Sequence, residues 1–193
     1  MEKEVKKKRK KNQSNEALCR DRLGANKNKI LTGSLLCIDP SSGSESSQPG
    51  WALFQAGVLV EAGVAEINHR LELRARLRLV WEYFAPWADK VDIVLIEEIP
   101  VRPIRTQMDA ASKGKTWMSA KSHGSLVEAI GATKAAFPVS IPVVKLPASL
   151  WHRVSREQGW AMQASTVKKS DYMDAVRIGM TAIHLLGGVI NKE

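Results

Sequence analysis

Two short apolar runs constrain this chain most, because each ends on acids followed closely by a proline. Leu35-Leu36-Cys37-Ile38 runs into Asp39-Pro40, and Asp92 to Ile96 runs into Glu97 and Glu98 ahead of Pro100. Apolar runs of this length bounded by turn formers read as strands buried on both faces. Neighbouring central strands of a mixed sheet can end at one edge, so Asp39 and Glu97 are expected side by side at the carboxyl end of the sheet. Successive strand residues face opposite ways, which lets at most one of Glu97 and Glu98 join Asp39. Glu97 is the candidate.

The remaining elements place these strands in an α/β domain. Ser41 to Gly50 is a Ser- and Gly-rich turn, and Trp51–Phe54 and Val58–Ile67 read as two further strands of an antiparallel meander. Leu71, Leu73, Leu77, Val80, Trp81 and Phe84 recur at helical spacing between Arg70 and Trp87, with arginines mostly on the other faces. Ser125–Phe137 reads as a helix, Val143–Leu146 as a strand, Leu150–Gln158 as a short helix and Asp171–Leu186 as a long final helix. Three strands, helix, strand, helix, strand and two helices predict a mixed five-stranded sheet flanked by helices.

The final helix carries a second pair of acids. Asp171 and Asp174 are three residues apart and share a helix face. Ser170 suits an N-cap, and acids in a first turn are favoured by the helix dipole, so ordinary helix chemistry is one explanation. The flanks of that helix are apolar, however: Met173, Val176, Met180 and Ile183 on one side, Ala175, Ile178 and Ala182 on the other. A helix wrapped so closely would press its acids against the sheet, where gathered carboxylates must be protonated or bridged by cations. Hard divalent ions meet that need and suit phosphodiester hydrolysis.

Charge says less about the folded part than its total implies. The net charge is +9, yet residues 1–30 hold eleven Lys or Arg against four acids and so account for +7 of it. Residues 1–30 read as a basic, unpacked tail that could tether phosphates, and residues 31–193 as one folded domain. Cys19 and Cys37 have no partners at metal-ligand spacing, and isolated histidines such as His123 and His152 do not suggest zinc. There is no signal-peptide pattern and no run approaching the roughly 20 apolar residues that span a bilayer, so an intracellular, soluble protein is expected.

Taken together, these motifs resemble RuvC-type Holliday junction resolvases, whose fold is ribonuclease H-like. Leu36-Cys37-Ile38-Asp39-Pro40 followed by Gly50-Trp51-Ala52-Leu53 resembles the first two strands of that family. Val94-Leu95-Ile96-Glu97-Glu98 resembles its Glu-bearing strand, His123-Gly124-Ser125 its next block, and Ser170-Asp171-Tyr172-Met173-Asp174-Ala175 its terminal Asp-x-x-Asp-Ala helix. The resemblance spans about residues 33–187. It implies that Asp39, Glu97, Asp171 and Asp174 hold two magnesium or manganese ions, and that a homodimer nicks a four-way DNA junction symmetrically. Two positions depart from the family pattern. Ser41 stands where a Gly is usual, and Pro100 stands near the place of an aromatic that bacterial members wedge into the junction.

Other residues are candidates for DNA contact. Arg102, Arg105, Lys113, Lys115, Trp117 and Lys121 make the long segment Val101–Lys121 basic and aromatic, suited to gripping phosphates and stacking a base, although a solvated loop would look the same. Lys145 corresponds roughly to a basic family position near DNA, but a lone Lys is commonly solvent-facing. Trp81 and Trp87 read as core, while Trp151 and Trp160 could serve the core or a dimer contact. The rival functions are a nuclease of the same fold acting on flaps, forks or RNA-DNA hybrids, and a noncatalytic DNA-binding protein. An actin-like ATPase would need glycine-rich phosphate loops, which no segment supplies convincingly.

Overall fold

The computed structural model describes residues 17–98, 120–160 and 167–189, without the side chains of 120–122 and 167–170. Helices α1 (residues 17–24) and α2 (Lys27–Thr32) lead into strands β1 (Ser34–Asp39), β2 (Gly50–Gln55) and β3 (Val58–Val64). Helix α3 (Leu73–Phe84) and a 3-10 turn (Ala85–Trp87) follow, then β4 (Ile93–Glu98), α4 (Ala120–Ala135), β5 (Val143–Pro147), α5 (Ala148–Glu157) and α6 (Val167–Leu185).

The five strands form one sheet in the order β3-β2-β1-β4-β5. The first three are an antiparallel meander, and β4 and β5 run parallel to β1, as the element order predicts. A two-residue turn joins β2 to β3 with positive φ at both Ala56 (49°) and Gly57 (79°), the handedness that matches strand twist.

Alternation along β1 and β4 divides the interior into two layers. Leu35, Cys37, Ile93 and Leu95 face α5 and α6 with Trp151, Val154, Ala175 and Ile178. Leu36, Ile38, Val94 and Ile96 face α3 and the end of α4 with Val80, Phe84, Ala136 and Phe137. Both strands are buried on both sides because helices cover both faces.

Several boundaries differ from the sequence-based expectation. The stretch taken as an unpacked tail is helical over residues 17–24 and 27–32, and Cys19, Leu23 and Ile30 are buried in the α6 layer. Its apolar stripe is one residue per turn, too narrow to stand out among the lysines and arginines. Residues 1–16 lie outside the described residues. Helix α4 begins at Ala120 rather than Ser125, taking Lys121 out of the preceding segment. Helix α6 begins at Val167, so Ser170 is not its N-cap and Asp171 lies in its second turn. The first-turn dipole account of that acid therefore fails. Trp81 is 44% exposed and donates its indole N–H to the Ala135 carbonyl, whereas Trp151 and Trp160 are core residues. Trp87 is half-buried, with its ring 5.0 Å from that of Trp51.

Candidate active site

Strand register brings the first two carboxylates together. Ile38 pairs with Ile96 across the parallel β1–β4 ladder, so the next residues, Asp39 and Glu97, are neighbours at the carboxyl edge. By alternation both share the face of Cys37 and Leu95, the side covered by α6, while Glu98 takes the α3 side. That choice of Glu97 over Glu98 follows from two-residue periodicity alone.

Helix α6 brings the second pair to the same place. It packs along β1 and β2 closely enough that a Cβ on Gly179 would collide with the Phe54 ring, and one on Gly50 would fall on the Asp171 carbonyl oxygen. Gly50 is the register partner of Asp39, so this contact sets the height of the helix acids against the strand acids. The Gln48 backbone N–H donates to Asp171 Oδ2 at 2.8 Å. Gln48 is itself clamped: its side chain accepts from the Ile67 N–H at 2.8 Å and donates to the Ser44 carbonyl at 2.9 Å. Asp174 accepts from Arg177 Nη1 at 2.8 Å, one helical turn on.

The electrostatics join all four acids. Burial pushes the Asp39 carboxyl well above its ordinary range, and Glu97, Asp174 and Asp171 push it the same way. Glu97 is raised by burial and by Asp174, against the opposing effects of the hydrogen bond from Asp39 and of the Trp151 indole. Of this pair, Asp39 is held further above its ordinary range, chiefly by burial and next by the neighbouring Glu97. Asp171 is raised by burial and by Asp174, against the Gln48 N–H. The buried Trp151 Nε1 influences Glu97 but has no partner at hydrogen-bonding geometry. His152, its ring stacked on Trp151 at 3.7 Å, has its pKa lowered by desolvation and by Arg177 and Arg156, against Asp174.

An all-oxygen set of partly buried carboxylates fits a hard divalent cation. Among the described residues, no three His, Cys, Asp or Glu side chains stand at a spacing that closes on a single ion.

The fold has known counterparts. Thermus thermophilus RuvC in complex with a Holliday junction substrate superposes with a TM-score of 0.54 at 13% identity, over 80% of this chain and 96% of that one. This chain has a RuvC-type, ribonuclease H-like fold. A second Thermus thermophilus RuvC structure aligns over the same shares at 13% identity with a TM-score of 0.48. No protein-family model and no curated protein matches the chain.

Within this RuvC-type fold the candidate DNA contacts fare differently from the acids. Arg102, Arg105, Lys113, Lys115 and Trp117 lie outside the described residues, as does Pro100; Lys121 is in the first turn of α4. Lys145 pairs with Ile96 in the β4–β5 ladder, which turns it to the α3 side, opposite Glu97. Ser41 closes the first turn in its own way, as its hydroxyl donates to the Ser47 carbonyl at 2.9 Å and accepts from the Gly43 N–H. Gln48, Trp151, Arg177 and Arg76 are the residues that sequence reasoning missed. Only the i,i+3 spacing of Asp174 and Arg177 was visible in advance. Among the described residues, no helix is long and apolar enough to cross a membrane.

Proposed function

We propose that this protein is a divalent-metal-dependent endodeoxyribonuclease acting on branched DNA, with the four-way junction as its substrate. The observation that carries this reading is that strand register sets Asp39 beside Glu97 at the carboxyl edge of the sheet, while the close approach of Asp171 to Gly50, the register partner of Asp39, brings the α6 acids to the same edge. A set of acids held this closely without a task would cost stability, since each is drawn from water beside like charges. The RuvC-type fold and the junction-bound state of one neighbour support the substrate class.

Asp39, Glu97, Asp171 and Asp174 would hold two magnesium ions, with manganese as a substitute. Bound there, divalent ions supply an activated water and charge stabilisation of the attacked phosphate and the leaving oxygen. The chain's own contribution is orientation. Strand register fixes Asp39 beside Glu97, the Gln48 N–H turns Asp171, and Arg177 holds Asp174. A homodimer would present two such edges to the two strands to be nicked, inside the cell, with the basic N-terminus adding affinity without reading sequence.

The test is cleavage of a synthetic four-way junction, a flap and an RNA-DNA hybrid, each with magnesium, with manganese and with chelator. Paired symmetric nicks in the junction, dependent on metal, are expected. Preferential cutting of the flap or the hybrid would move the substrate assignment. Binding without cutting of any substrate would replace the enzyme by a DNA-binding protein.

A further inference from the structure

A pocket of about 460 Å³ opens beside the acid pair, lined by Asp39, Glu97, Ser125, the serines of the 41–47 turn and Arg76 from α3. Arg76 is an unusual wall for it. Its Nη1 donates to the Gly43 carbonyl at 3.0 Å, which braces the turn. Its Nε is buried and has no acceptor, and among the described residues no carboxylate pairs with it. A half-buried guanidinium that lines a pocket with no carboxylate paired to it is costly unless an anion completes it. Neither Asp39 nor Glu97 takes that place, although both line the same pocket. Serines of the turn, among them Ser42, Ser46 and Ser47, also line the pocket.

We propose that Arg76, with the serine turn that it braces, forms an anion subsite beside the acid pair and receives a backbone phosphate of the bound DNA strand. The inference rests on the nuclease reading and deepens it. The acids at this edge repel a polyanion, and a guanidinium lining the same pocket offsets that repulsion where the strand must approach. The planar fork suits phosphate oxygens, and hydroxyls can complete the shell as they do at many phosphate contacts. The contact carries no base information, so its effect is the same for every sequence.

The test compares junction binding across a salt series for Asp39→Asn, Asp39→Asn with Arg76→Gln, and Asp39→Asn with Arg76→Lys, with melting temperature measured in parallel. Arg76→Gln is expected to weaken binding about tenfold at 0.1 M salt and to make the slope of log K against log salt shallower by about one. Arg76→Lys is expected to keep the slope while losing about threefold in affinity with its planar fork. A lowered melting temperature with slope and affinity unchanged would reduce Arg76 to a brace for Gly43 and overturn the subsite. Should Arg76→Gln fail to fold, the Arg76→Lys protein decides: affinity equal to that of its Asp39→Asn parent overturns the proposal. If the wild-type chain cuts DNA and the Asp39→Asn parent binds it, while both Arg76 variants bind as that parent does, only the subsite fails. If the wild-type chain neither binds nor cuts DNA, the nuclease reading fails and the subsite with it.

Discussion

The strand-borne acids and the helix-borne acids of this site are held in opposite ways. Asp39 and Glu97 are fixed by backbone register, each following the last paired residues of the parallel β1–β4 ladder. Asp171 and Asp174 ride on a packed helix and already have donors, the Gln48 N–H and Arg177. The strand pair is therefore rigid and electrostatically unbalanced, while the helix pair is partly satisfied and depends on how α6 is seated. A cation has most to gain at the strand pair, and the helix pair completes the site only while α6 stays pressed on β2.

Removing a strand acid gives the largest expected effect. Asp39→Asn or Glu97→Gln should lower junction cleavage by about a thousandfold or more while leaving binding largely intact, as read by nicking and by gel shift. Glu98→Gln, one residue on and on the other face, should cut as the wild type does. Equal losses at Glu97 and Glu98 would break the register argument.

Gly50→Ala tests the seating of the helix. Its methyl would meet the Asp171 backbone, which cannot yield without shifting α6, so a loss of about 1–3 kcal/mol in denaturant unfolding is expected. Cleavage should fall more than the fraction unfolded explains, because Asp171 and Asp174 move together. Unchanged activity in a correctly folded Gly50→Ala protein would separate the helix acids from the chemistry.

The smallest effect is on stability against pH. Asp39, Glu97 and Asp171 all have carboxyls raised above their ordinary values, chiefly by burial. The stability such groups contribute is fully present below their unfolded values, about 4, and is lost as pH rises through the raised folded values. In chelator, the melting temperature of the wild type relative to Asp39→Asn should therefore fall by a few degrees, on the order of 1 kcal/mol, between pH 5 and pH 8. Magnesium should restore it at pH 8 and do little at pH 5. A magnesium effect independent of pH would place the ion away from these carboxyls.

What was legible from the sequence is what depends on short-range periodicity. Alternation along two apolar runs puts Asp39 and Glu97 on one face, and the element order yields the mixed sheet. The same logic missed the helical packing of Cys19, Leu23 and Ile30, because one apolar residue per turn is a weak signal until a partner surface exists. It also placed Asp171 in a first helical turn, because Ser170 resembles a cap although the helix continues back to Val167.

The sequence by itself determined which acids could meet, since side-chain direction in strands and helices repeats with a fixed local period. Only the tertiary structure decided that they do meet, and on what terms. The Gln48 to Asp171 hydrogen bond spans 123 residues, and the reach of Arg76 to Gly43 spans 33. No local period encodes contacts of that range, because they exist only after the sheet has closed and α3 and α6 have packed on its two faces.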